Sequence, residues 1–222
     1  LTEVTLEAGL RQGITALGLS LSDAQVRQLL EYLALLQKWN RVYNLTAVRD
    51  PNQMLVQHLL DSLSMIRPLQ RELVRRHKDA APRLLDVGSG GGLPGVVIAV
   101  CCPNVRVTCV DAVAKKAAFV RQVAASLALA NLQAEHARVE SLGGVFDVVC
   151  SRAFASLTDF VQWTASLLGK GGCWLAMKGQ HPDDEMAALP LTVNVFHVEQ
   201  LTVPGMDAQR CIVWIEPLAS SE

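Results

Sequence analysis

Up to residue 80 the apolar positions of this chain repeat only at helical intervals; beyond it, short apolar runs alternate with stretches of helical spacing. In the first part Ser22 and Gln25 form a capping-box pair ahead of Val26, Leu29, Leu30, Leu33 and Leu36, which predicts a helix running towards Trp39. Asp50, Pro51 and Gln53 repeat the start signal. They predict a helix through Met54, Leu55, His58, Leu59 and Ser62, with a more basic helix after Pro68. No β-type alternation occurs here, so residues 1–80 read as a helical cap packed on the remainder of the chain.

Residues 81–222 have a different rhythm. Strands are predicted over Arg83–Val87, Val105–Val110, Leu132–Ala137, Phe146–Cys150 and Gly172–Met177. Helices are predicted over Lys115–Ala130, Thr158–Leu168 and His181–Leu189. Such alternation implies parallel strands joined by right-handed crossovers. The last two strands, Asn194–Val203 and Arg210–Ile215, are separated by a turn at Pro204–Gly205 and no helix, so they form a hairpin. The expected fold is therefore α/β: a mostly parallel, Rossmann-like sheet with an antiparallel C-terminal edge strand, plus the helical cap. That edge belongs to the methyltransferase version of the doubly wound fold more than to the dehydrogenase version.

The stretch after the first strand carries the chemistry. Asp86-Val-Gly-Ser-Gly-Gly-Gly-Leu-Pro-Gly95 brings bare backbone close to a ligand and turns into a helix near Pro94. Gly90, Gly92 and Gly95 fit the dinucleotide pattern G-x-G-x-x-G, with Asp111 at the offset of a ribose-binding acid. The register disagrees: the first glycine after the strand is Gly88, from which the third would fall on Leu93. Asp86 would also repel a pyrophosphate. A carboxylate there suits a cationic ligand, so D-x-G-x-G at Asp86, Gly88 and Gly90 favours S-adenosylmethionine (SAM), which carries an ammonium and a sulfonium and no phosphate.

Ligands of such sheets lie across the carboxyl ends of the strands, which assigns the remaining positions. Asp111, ending the second strand, is expected to accept from the ribose hydroxyls. Val139 offers an apolar wall to adenine and Glu140 an acceptor for its amine. Leu93 would pack beside the ligand, and Arg152, after the fourth strand, would face the reacting end, where a guanidinium can fork onto a carboxylate or phosphate. His58 and Asp61 suit hydrogen bonds on the seam between cap and sheet, and Asn44 and Thr46 suit turn and cap chemistry.

Composition narrows the class. The chain has 222 residues, half of them hydrophobic, and a formal net charge of −1, unlike a generic high-affinity nucleic-acid binder. Residues 1–80 carry +2 and the rest −3, with cations clustered at Arg71, Arg75, Arg76 and Lys78 and others just upstream at Lys38, Arg41 and Arg49. Such a cluster is either a solvated face or a phosphate contact. The six cysteines form no C-x-x-C, and no metal site or redox pair is indicated; Cys101, Cys102, Cys109, Cys150 and Cys211 suit a core. Apolar runs fall short of a membrane span, and Glu3 and Glu7 precede any arginine, unlike a leader, so a cytoplasmic protein, a monomer, is expected.

The fourth strand ends in Ser151-Arg152-Ala153-Phe154, not in the Asn/Asp-Pro-Pro-aromatic stretch of enzymes that methylate exocyclic base amines. Cys150 lies inside the strand, which argues against a nucleophile. A target lone pair needing no deprotonation, such as guanine N7, is compatible, and catalysis then rests on positioning with no catalytic side chain.

Asn44–Ala47, His58–Ser62, Asp86–Gly95, Arg138–Glu140, Ser151–Phe154 and Lys178–Gly179 together resemble the bacterial small-subunit ribosomal RNA methyltransferase G family, also called glucose-inhibited division protein B. The resemblance covers most of the chain. It implies SAM-dependent methylation of guanine N7 in 16S ribosomal RNA, with donor contacts at Gly88, Leu93, Val139, Glu140 and Arg152. It makes Arg71, Arg75, Arg76, Lys78 and Lys178 candidate RNA contacts. Gly91 stands where many members have Ala or Pro, which should only loosen the turn.

Overall fold

The computed structural model describes residues 3–76 and 81–218. α1 (Glu3–Ala16) leads into α2 (Asp23–Tyr43), which opens on the expected capping box: Ser22 Oγ accepts from the Gln25 N–H, and Gln25 Oε1 accepts from the Ser22 N–H at 2.9 Å. Val26, Leu29, Tyr32, Leu33, Leu36 and Asn40 form its buried face. It ends because Asn44 turns left-handed, at φ 49°, and donates its N–H to Asn40 O. α3 (Pro51–Met54) starts on Asp50, whose carboxylate accepts from the N–H groups of Asn52 and Gln53.

The helix expected to run on through Ser62 changes its winding. Leu55–Leu60 is π-helical before α4 (Asp61–Ser64) and α5 (Ile66–Arg76). Gln57 O in this wider turn and the Asp61 carboxylate just after it both accept from Arg152.

β1 (Arg83–Val87), α6 (Gly95–Cys101), β2 (Arg106–Asp111), α7 (Ala114–Ser126) and β3 (Leu132–His136) come next. After them come β4 (Phe146–Arg152), α8 (Leu157–Thr164), β5 (Leu168–Lys178), α9 (Asp183–Ala187), β6 (Val193–Leu201) and β7 (Arg210–Pro217). The sheet runs β3-β2-β1-β4-β5-β7-β6. β1 to β5 pair in parallel, while β7 is antiparallel to both β5 and β6, so the C-terminal hairpin supplies the antiparallel edge with β6 outermost. Three helices are shorter than the sequence pattern suggests: α8 ends at Thr164, where a 3-10 turn takes over. α7 stops at Ser126 because Ala128 is left-handed and Leu129 N–H reaches back to Ala124 O, and the stretch after β5 yields only the five residues of α9.

Alternation along the strands builds a core on each face. Leu84, Val107, Cys109, Val148, Cys150, Leu175 and Trp214 join the core that also holds α6, α7 and the N-terminal helices. Leu85, Val87, Val110, Val149, Trp174 and Val213 face α8. The helical cap is tied to the sheet layer by polar bonds as well: Gln25 Nε2 donates to Val100 O, Gln28 Nε2 to Leu127 O, and Tyr32 OH to Gly91 O at 2.7 Å. Strand order reverses between β1 and β4, which leaves a crevice at their carboxyl ends.

Candidate active site

Two cavities open at that crevice, and Gly88 and Ala153 line both. One, of about 360 Å³, is bounded by Asp111, Val139, Glu140, Phe154 and Trp163. The other, of about 480 Å³, is bounded by Gly90, Leu93, Arg152, Lys178 and Arg210, and on the cap side by Thr46, His58 and Asp61. The sequence-predicted donor positions are thus brought together, apart from Asp86.

Asp86 corrects the electrostatic expectation. Its side chain is 0% exposed and points into the α6 face, where Oδ2 accepts from the Gly95 N–H at 2.8 Å and lies 3.9 Å from Cys109 Sγ. Strand alternation explains this: Leu84 and Asp86 share one face, and Leu85 and Val87 the other. The carboxylate therefore braces the glycine loop from behind through Oδ2, while Oδ1 has no hydrogen-bond partner among the described residues. Burial pushes its pKa up to about 7, against the opposing pull of the Gly95 N–H and of Arg152.

The loop itself is shaped for close approach. Gly88 has φ +64°, and a Cβ there would lie 2.4 Å from Phe154 Cδ2. Phe154 in turn stands edge-on to Trp163, with centroids 5.8 Å apart. These two aromatic walls of the smaller cavity were missed by sequence reasoning; Phe154 lay in a recognised motif, but nothing in the periodicity of α8 singles out Trp163.

Asp111 sits between loop and cavity. Its Oδ2 accepts from the Gly90 N–H at 2.9 Å and its Oδ1 from the Val113 N–H at 2.8 Å, with Lys116 Nζ 3.8 Å away. Each oxygen keeps a further lone pair for the cavity that it lines. Val139 is buried in the same wall, and Glu140 is exposed on the turn after β3.

In the larger cavity, Arg152 Nη1 donates to Asp61 Oδ2 and to Gln57 O, both at 2.8 Å. Asp61 Oδ1 accepts from Arg210 Nε at 3.0 Å. One buried acid thus holds two arginines, and the cap-to-sheet seam expected of Asp61 is an ion triad. His58 Nε2 and Thr46 Oγ1 are 2.9 Å apart. Burial, with the nearby Arg152 charge, lowers the His58 pKa, which keeps the ring neutral near pH 7. Burial also holds the Cys109 and Cys150 thiols well above their ordinary pKa, so neither is a poised nucleophile.

The cations singled out on α5 are engaged elsewhere. Arg71 pairs with Glu199, Arg75 with Glu72, and Arg76 with Glu72 and Glu216. The Arg76 guanidinium lies 5.0 Å from the Phe196 ring centroid. The bonds to Glu199 and Glu216 clamp α5 onto the C-terminal hairpin. Lys78 lies outside the described residues. Lys178 lines the larger cavity and pairs with Glu185 at 2.8 Å.

A dinucleotide needs a free helix N-terminus for its pyrophosphate, and here the Gly95 N–H at the start of α6 is already taken by a carboxylate. An acid with spare lone pairs at the end of β2, an apolar wall after β3 and a bare Gly88 fit the nucleoside of SAM. Fold and site together are those of a class I SAM-dependent methyltransferase. The fold is shared with TrmN from Thermus thermophilus (TM-score 0.54, 19% identity, 74% of this chain and 53% of that chain). It is also shared with ribosomal protein L11 methylase from Lactobacillus delbrueckii subsp. bulgaricus (TM-score 0.52, 13% identity, 77% and 80%). More narrowly, the chain belongs to the family described as rRNA small subunit methyltransferase G, which matches residues 25–213. Relatives named ribosomal RNA small subunit methyltransferase G are 62% identical in Acidovorax sp. (strain JS42) and 63% in Acidovorax ebreus (strain TPSY), each over 98% of both chains. Among the described residues no group of acids, histidines or cysteines is arranged to hold a metal ion, and no helix is long and apolar enough to cross a membrane.

Proposed function

We infer that the protein transfers a methyl group from SAM to N7 of a guanine in 16S ribosomal RNA, acting in the cytoplasm. The observation that carries this reading is family membership along nearly the whole chain, with relatives of that name above 60% identity. SAM, when bound, supplies an electrophilic methyl group on a sulfonium centre.

Asp111 holds the ribose hydroxyls, while Val139, Phe154 and Trp163 enclose the adenine and Glu140 accepts from its amine. Gly88 lets the donor pass from the smaller cavity to the larger. Arg152, oriented by Asp61, fixes the far end of the donor beside the substrate. Lys178, at the rim of the larger cavity, is placed for the RNA.

The side chains around the larger cavity also favour a target that keeps no proton at the reacting atom. His58 Nε2 is bonded to Thr46 Oγ1 and its Nδ1 is buried away from solvent, so neither ring nitrogen is open to a proton of the substrate. Guanine N7 offers a lone pair without a general base, so holding nucleophile and methyl carbon in line suffices. Small subunits from cells lacking the enzyme, incubated with tritiated SAM and the protein, should gain label at one guanine N7. Absence of incorporation, or label on another atom, overturns the reading.

A further inference from the structure

At the C-terminal end of α2, beside the larger cavity, stands a second group of cations with a different environment from those on α5. Lys38 and Arg41 are exposed, and among the described residues neither is paired with an acid. Arg49 is exposed and donates to the neutral Asn44 Oδ1 at 2.9 Å, and among the described residues it forms no ion pair with an acid. The nearby Asp50 accepts from the N–H groups that start α3 on one oxygen, Oδ1, and among the described residues forms no ion pair with these cations. On α5, by contrast, each of Arg71, Arg75 and Arg76 is bound to a carboxylate.

Apolar surface is exposed among these unpaired charges. Val42 is 70% and Tyr43 42% exposed, and the Tyr43 ring rests against Trp39 with centroids 5.1 Å apart. The left-handed turn at Asn44 then carries the chain directly into Leu45 and Thr46, which line the larger cavity. Cations, an exposed ring and residues of the cavity wall therefore fall together in the short stretch from Lys38 to Arg49. Interleaved cations and an aromatic ring suit an unpaired RNA strand, whose phosphates meet the charges and whose bases stack.

We propose that the end of α2 and the turn after it, through Lys38, Arg41, Arg49 and Tyr43, hold the RNA strand that enters the larger cavity. The proposal rests on the reading that ribosomal RNA is the substrate. Filter binding to unmodified small subunits over a salt series reads it without any methylation step. Lys38→Glu with Arg41→Glu should weaken binding on the order of tenfold and make the salt dependence shallower by about 0.7 for each phosphate no longer neutralised. SAM affinity should not change. Tyr43→Ala should weaken binding at an unchanged salt slope, and Tyr43→Phe should restore it. Arg71→Glu with Arg75→Glu should leave the slope as in the wild type. Charge reversal on α2 that alters neither affinity nor slope, or a reduced slope only in the α5 variant, overturns the proposal. Wild-type protein that binds subunits with this pattern but transfers no methyl group overturns the function and leaves the surface standing. Protein that does not bind them at all overturns both.

Discussion

Asp61 Oδ2 accepts a hydrogen bond from Arg152 at 2.8 Å, across the seam between the helical cap and the end of β4. The acid is 3% exposed, and its other oxygen holds Arg210. Asp61→Ala would leave two like charges facing each other over a buried gap. Breaking a buried pair costs about 3–5 kcal/mol, and the lower part of that range applies because the two arginines are 20% and 27% exposed. Denaturant unfolding should register that loss. Calorimetry should register weaker SAM binding, since Arg152 loses its orientation. Unchanged unfolding midpoints would mean that water replaces the carboxylate at no cost.

Asp86 should make stability fall as pH rises. Its carboxyl titrates near the usual carboxylate range in the unfolded chain and at about 7 in the folded protein. Between about pH 4 and pH 7 the unfolded state therefore gives up its proton first, and unfolding becomes easier with each step up; above that window both states are ionised and the effect is flat. Asp86→Asn keeps an oxygen for the Gly95 N–H and removes the titration. Urea unfolding across that window should show a slope in the wild type that the variant lacks. Equal slopes would return Asp86 to an ordinary solvated acid.

The same residue marks how far the sequence could be read. The glycine loop and the strand ends were legible because each depends on neighbours in the chain. Asp86 was misplaced although strand alternation contained the answer: counting from Leu85 and Val87 puts it on the opposite face, behind the loop. The partners of Arg71 and Arg76 were not legible, since Glu199 and Glu216 lie more than a hundred residues away in the chain. Only Glu72, three and four residues from Arg75 and Arg76, was visible as a local pair. The π-helical turn at Leu55–Leu60 leaves no trace in apolar spacing, and its packing partners, α1 and α2, lie earlier in the chain. Trp163 reaches the smaller cavity only because α8 packs beside the turn at Val139–Ser141, which lies well before it in the chain.

Gly88→Ala should abolish the joint between the two cavities. The new Cβ would sit 2.4 Å from Phe154 Cδ2, and the backbone is at φ +64°, where an L side chain costs about 1–2 kcal/mol. Phe154 must swing away, and with it the edge contact to Trp163. The expected result is donor binding at least tenfold weaker with Trp163 emission altered in the free protein. Full affinity in the variant would show that the donor does not approach this backbone.

Asp111 performs two tasks that a single substitution would confuse. It braces the loop through the Gly90 and Val113 N–H groups, and its spare lone pairs face the cavity where the ribose would lie. Asp111→Ala should weaken SAM binding by about 1.5–3 kcal/mol, the worth of hydrogen bonds to a charged acceptor. A donor analogue lacking both ribose hydroxyls separates the tasks. If the carboxylate acts on the ribose, the substitution should cost less for the analogue, which already lacks those bonds, than for SAM. If the carboxylate acts only by shaping the loop, the substitution should cost the same for SAM and for the analogue. The measurement is the coupling between substitution and analogue in a calorimetric cycle, and a coupling near zero sinks the ribose assignment.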